Sequence, residues 1–257
     1  MQTFPTALKH WRQVRRLSQL DLAMAADVSA RHVAFLETGR AGPSRNMLLH
    51  LAEVLAMPRA ARNRLLHLAG FAAVYPALPL DDASLAPVRA AMDWTITRHA
   101  PYPAVIMDGL WRLTALNAPA TTLFSAMGLG PGDSLIDAIR DPRGAPKTIE
   151  NWPEVGYHTM IRLRSESAAA GGIAALDRAA DELGRDLGVA GWHAPAELPA
   201  IVPTVYAARG MRLSLFSTYA TFGSAEDVSL RDMKIELMFP ADDPTKATLI
   251  ALAAGGS

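Results

Sequence analysis

The 257-residue chain contains no cysteine. Disulfides, thiolate nucleophiles and cysteine-based zinc sites are therefore excluded, and nothing in its redox chemistry calls for an oxidising compartment. It also lacks any apolar run near the roughly 20 residues that span a bilayer. The opening stretch, MQTFPTALKHWRQVRR, has no apolar segment of the kind that marks a secretory signal. These absences lead us to expect a cytoplasmic protein without membrane insertion. Catalytic signatures are missing as well: there is no phosphate loop, no G-x-S-x-G elbow and no H-E-x-x-H pair. The histidines, at 10, 32, 50, 67, 99, 158 and 193, show no metal-ligand spacing. We expect no enzyme activity, no catalytic residue, no metal site and no cofactor.

Net charge is absent too, but the zero is a sum of opposites. Residues 1–75 hold ten Lys/Arg and four Asp/Glu, a net of +6, which leaves −6 on the remainder. A basic first third on an acidic body points to a polyanionic partner met by the first third alone.

That first third reads as helices. Leu8, Trp11 and Val14 recur at helical spacing, and short apolar-periodic segments follow at 19–26, 30–38, 45–56 and 58–69. Ser29 and Ser44 stand where N-caps belong, Gly39 and Gly70 where helices end, and Pro58 where one starts. Residues 19–37, QLDLAMAADVSARHVAFLE, have the form of a helix-turn-helix. Ala23 is small where two helices cross, Val28 plugs the turn, and Val33 and Leu36 face inward. The first turn of the second helix then points outward, towards a major groove wide enough to take it. The residues assigned to DNA are Ser29, Ala30, Arg31 and His32 on that turn, Gln19 at the start of the preceding helix, and Arg40, Ser44, Arg45 and Asn46 for backbone phosphates. Arg12, Arg15 and Arg16 read as a solvated face, and Phe35 stands between core and surface.

The stretch YPALPLDDASLAP, with Pro76, Pro79 and Pro87, is the expected linker, followed by a helix near 88–98. We divide the chain into a DNA-binding domain at 1–73, a linker and connecting helix at 74–100, and a second domain at 101–257. In the second domain, 104–108 and 111–117 read as a hairpin around Gly109. Helices are expected near 118–127, 133–140, 149–170 and 173–187, strands at 201–208, 211–222 and 234–239, and a closing helix. The fold class is thus an all-α, five-helix domain followed by an α+β domain with one antiparallel sheet flanked by helices.

A large apolar inventory with few aromatics marks the second domain. Ile106, Trp111, Leu113, Leu123, Ile139, Trp152, Met160, Ile161, Phe216 and Phe222 are candidate ligand-lining residues, although each could equally be plain core. Arg162 and Arg164 interrupt an apolar segment and project about 200° apart on a helix, so one of them should face inward, where a guanidinium suits a carboxylate or acyl-phosphate. Asn117 is a second polar candidate that helix capping also explains.

The stretch SQLDLAMAADVSARHVAFLETGRAGPSRNMLLHLAEVLAMP resembles the XRE family of phage-repressor-type regulators, with Asp27 where that family often has glycine. PYPAVIMDGLWRLTALNAPATTLF, IENWPEV and FSTYATFGSAEDVSLRDMKIELMFPAD resemble the subgroup carrying an MmyB-like domain, from which 128–148 and 165–200 depart. The resemblance implies DNA contacts at Gln19, Arg31 and His32. It also implies a PAS-like sheet with a pocket for a fatty-acid or acyl ligand. The expected protein is a homodimer on double-stranded operator DNA whose activity a hydrophobic small molecule modulates. A ligand-free dimerisation or protein-interaction module in the second domain is the alternative.

Overall fold

A computed structural model describes residues 2–141, 144–195, 197, 199–208, 210–222 and 227–255. The chain divides into two compact units: Met1–Ala77 with Ser165–Ala174 and Glu226–Val228, and the remainder.

In the first unit, residues 4–68 form five helices: α1 (Phe4–Val14), α2 (Gln19–Ala25), α3 (Ala30–Glu37), α4 (Arg45–Val54) and α5 (Arg59–Leu68). Serines start three of them. Ser18, Ser29 and Ser44 accept hydrogen bonds from the backbone N–H of Asp21, His32 and Met47, satisfying donors that a helix leaves orphaned. Asp27 sits in the turn between α2 and α3 with φ 49°, a left-handed conformation that Asp tolerates better than most residues. Leu8, Leu22, Val33, Leu36, Leu51 and Leu55 are fully buried in one core, and Ala23 is buried with them. Segment Ser165–Ala174 closes on α1: His10 Nε2 donates to the Gly171 carbonyl. Gly171 has φ 83°, and a Cβ there would overlap the Trp11 indole, so only glycine fits.

The second unit adds α6 (Ala86–Arg98), β1 (Ala104–Met107), β2 (Leu113–Leu116), α7 (Ala118–Ser125), α8 (Leu135–Arg140), α9 (Ala145–Thr148) and α10 (Trp152–Ala169), the last of which runs on into the first unit. It continues with α11 (Ala174–Leu183), α12 (Leu187–Ala190), β3 (Thr204–Ala208), β4 (Met211–Ala220), α13 (Val228–Arg231), β5 (Lys234–Pro240) and α14 (Asp243–Gly255). The five strands form one antiparallel sheet in the order β2-β1-β5-β4-β3. Alternate residues face opposite sides of such a sheet. One face packs Ala104, Ile106 and Ile235 on Met92 and Ile96 of α6. The opposite face carries a cross-strand row of Leu116, Val105, Glu236 and Tyr219.

Element boundaries depart from the sequence reading where side chains divert the backbone. The second strand starts at Leu113, not 111, because Trp111 takes a left-handed φ of 57° in a turn that Asp108 holds through the N–H groups of Leu110 and Arg112. The helix expected over 149–170 starts at Trp152. Ile149 is drawn into a β-bridge with Tyr206, and the Asn151 amide clamps β3 by donating to Pro203 and accepting from Val205.

Candidate nucleic-acid interface and ligand cavity

The exposed start of α3 is set by what holds its buried side. Arg12 donates from Nε and Nη2 to both oxygens of Glu37, at 2.6 and 2.8 Å, and from Nη1 to the Leu17 carbonyl. Gln19 donates to the same carboxylate at 2.8 Å. The two side chains of the ion pair are 10% and 2% exposed, so this is an interior, bidentate clamp joining α1, α2 and α3. Burial pushes the Glu37 carboxyl up, but the Arg12 and Gln19 hydrogen bonds outweigh it and hold it below the ordinary carboxylate range. Arg12 is therefore not part of a solvated face. Arg15 is not free either, donating to the carbonyls of Leu55 and Ala56 at the end of α4.

The residues assigned to DNA separate on this frame. Arg31 is exposed and lies over the Phe35 ring at 5.1 Å, while Arg40 approaches the same ring at 6.0 Å. Among the described residues, neither cation has a carboxylate partner. Phe35 thus gathers two exposed guanidinium groups, one from the first turn of α3 and one from the loop after it. Arg45 and Asn46 are exposed at the start of α4, beside its cap Ser44. Ser29 is exposed but its hydroxyl caps α3. Ala30 and His32 are half-buried, and Ala30 packs on the core. Gln19 has its amide N–H committed to Glu37.

In the second unit, a cavity of about 380 Å³ lies between α7, α14 and the β3–β4 hairpin. The first wall is Ala118, Pro119, Thr122 and Leu123 of α7 with Ala126 and Met127 just after it; Leu249, Leu252 and Ala253 of α14 form the second. Tyr206, Met211 and Leu213 supply the sheet side, with Ala100, Pro101 and Thr148 at the margin. The volume is within the range of about 300–1,000 Å³ usual for small-molecule sites.

Of the residues expected to line a ligand site, Leu123 is on this wall. Trp111, Leu113, Trp152 and Met160 are buried elsewhere in the unit, and Ile139 is half-buried on α8. Ile106 and Phe222 pack on the α6 side of the sheet, and Phe216 stacks on Phe239 with ring centres 5.6 Å apart. Ile161 is 46% exposed, so it cannot line an interior wall. Asn117 is consumed structurally: its carbonyl oxygen accepts from the N–H groups of Ala104 and Ala120, and its amide donates to Ile96 and Tyr102. Of the two arginines, Arg164 is exposed and pairs with Asp181 at 3.6 Å. Arg162 is the one that turns inward. Its guanidinium sits 3.7 Å from the Tyr219 ring centre and 4.5 Å from that of Trp111. Tyr219 Oη in turn donates to buried Glu236 at 2.7 Å. Burial, and then Glu236, push the Tyr206 phenol well above the ordinary tyrosine range, so it stays a protonated donor.

Sequence reasoning missed Tyr206, Met211 and Leu213 on the cavity wall, and Tyr219 and Glu236 beside Arg162. A signal existed: Met211, Leu213 and Leu215 recur at every second position of β4 and so share one face, with Tyr206 opposite Leu213 on β3. Leu249 and Leu252 lay in a closing helix that is apolar on several sides, where periodicity picks out no single face. Among the described residues, no group of His, Asp and Glu could hold a metal, and no helix is long and apolar enough to cross a membrane.

Comparison with known proteins agrees with both halves of this geometry. A helix-turn-helix domain model matches residues 6–65, and the model of the MmyB-like transcription regulator ligand binding domain matches residues 88–252, more than half the chain. No curated protein matches. The chain belongs to the family of helix-turn-helix transcription regulators with an MmyB-like ligand binding domain.

Proposed function

We propose that this DNA-binding transcription regulator acts as a homodimer whose operator affinity is set by a hydrophobic, fatty-acid or acyl-type ligand in the second unit. One short helix reads too few base pairs for useful specificity, and paired half-sites are the usual solution. Arg31 at the start of α3 reads base edges, and Arg40, Arg45 and Asn46 hold phosphates. The observation that carries the ligand reading is the 380 Å³ cavity with its walls of alanine, leucine and methionine. It also favours a sensor over a ligand-free interaction module, whose interior would be filled.

Leu123→Trp would fill the cavity from the α7 side. A neutral, environment-sensitive dye such as N-phenyl-1-naphthylamine should bind the parent protein and lose at least about tenfold in affinity to the variant, since a bulky side chain removes the apolar surface that binds it. DNA affinity without ligand should be unchanged. Equal dye binding by both proteins would remove the cavity from the reading.

A further inference from the structure

The geometry points to an uncharged ligand: we propose that the cavity between α7, α14 and the β3–β4 hairpin takes an acyl-type molecule whose polar end is a neutral hydrogen-bond acceptor, such as an ester, lactone or ketone carbonyl, rather than a free carboxylate. This deepens the cavity reading above and rests on it.

The wall carries no charged side chain among the described residues; its polar side chains are Thr122, Thr148 and Tyr206. Both threonines already donate to their own helix, Thr122 to the Ala118 carbonyl and Thr148 to those of Gly144 and Ala145. Their hydroxyls face a ligand mainly as acceptors. Tyr206 is different. Among the described residues its phenol makes no hydrogen bond, and no buried side-chain oxygen or nitrogen is left unsatisfied. The two facts fit together if Oη opens onto the cavity. Burial keeps that phenol protonated, so it offers one O–H donor.

One neutral donor suits a single carbonyl or ether oxygen. It does not suit an anion. An ionised carboxylate taken from water without a cation or several donors is strongly disfavoured and shifts its own pKa instead. Buried Glu236, close enough to raise Tyr206, adds repulsion of the same sign. Arg162, the inward cation that would suit a carboxylate, is not on this wall, and rings cover its guanidinium on the Trp111 and Tyr219 sides.

A matched pair tests this on the intact protein. Decanoate and methyl decanoate carry the same chain and differ in charge at pH 8. Each is titrated against bound N-phenyl-1-naphthylamine, with Leu123→Trp defining the signal that belongs to the cavity. The ester should displace the dye at a concentration at least about tenfold lower than decanoate, in keeping with the penalty on an unpaired buried charge. Lowering the pH towards 5 should narrow that gap, because the neutral acid then becomes the binding species. Tyr206→Phe keeps the ring and removes the donor, and should weaken the ester about 3- to 10-fold, the worth of one neutral hydrogen bond. Decanoate binding as tightly as the ester at pH 8, with sensitivity to Leu123→Trp retained, would overturn the neutral-ligand inference and leave the cavity reading standing. Displacement that ignores Leu123→Trp would overturn both.

Discussion

The two faces of α3 treat charge in opposite ways. On the inner face, Glu37 is sealed beneath Arg12 and Gln19, and every partner in that cluster is another side chain or backbone group of the same unit. On the outer face, Arg31 and Arg40 rest against Phe35 and meet no carboxylate among the described residues. The inner charges are satisfied by each other and fix where three helices cross. The outer charges are aligned by an apolar ring and keep their donors for something outside the molecule. One helix thus separates the charge that builds the domain from the charge that is available for binding.

The largest way to break that separation is to open the inner face. Glu37→Ala leaves the Arg12 guanidinium buried without its carboxylate, and removing one partner of a buried pair costs about 3–5 kcal/mol. Urea denaturation of the 257-residue chain should show a loss of that size in the transition of the first unit. Replacing both partners, Arg12→Met with Glu37→Leu, should recover much of it, because apolar residues of similar volume often substitute a buried pair without net loss. A single variant as stable as the parent would mean that the clamp contributes nothing to the crossing of α1, α2 and α3.

The outer face should respond in binding and not in folding. Arg31→Ala is expected to weaken specific operator binding by about 1–3 kcal/mol and to relax specificity at one base position. Arg40→Ala should weaken specific and non-specific DNA alike and flatten the salt dependence, as expected for a phosphate contact. Both variants should melt with the parent protein. An unchanged footprint and affinity for Arg31→Ala would move the reading surface elsewhere on the first unit.

The first unit was legible in the sequence because its signals are local. The N-caps at Ser29 and Ser44 and the helical spacing each act within a few residues, and each is where the sequence placed it. What sequence reading missed there was non-local. Arg12 and Glu37 are 25 residues apart and look like any surface pair until the fold joins them. The second unit shows the same limit more sharply. Its strands and most helices follow from alternation and turn residues, but the cavity wall draws on α7, β3, β4 and α14, which are joined only by sheet register and helix packing. An apolar residue on such a wall carries the same sequence signature as one in a filled core, which is why Leu123 was found and Leu213 was not. Arg162 and Arg164 could be separated only to the extent that one faces in, and the choice waited on the rings of Trp111 and Tyr219.

Acidification offers the finest test of the two faces, and its sign is fixed by Glu37. Burial raises this carboxyl but the Arg12 and Gln19 hydrogen bonds together lower it by more, so its folded pKa lies below the 4.5 of an unperturbed glutamate. The folded state therefore binds this proton less readily than the unfolded one. The stabilisation is complete above about pH 4.5 and is lost as the pH falls through the depressed folded value. Glu37→Gln removes the titration while keeping an amide oxygen that accepts from Arg12, so the variant should be less stable than the parent at pH 7 and the difference should shrink in acid. Parallel urea midpoints at pH 7 and at successive steps below pH 4.5 read this directly. A gap that stays constant across the series would show that the Glu37 charge is felt equally in the folded and unfolded chains, and the clamp would then be a matter of shape rather than of charge.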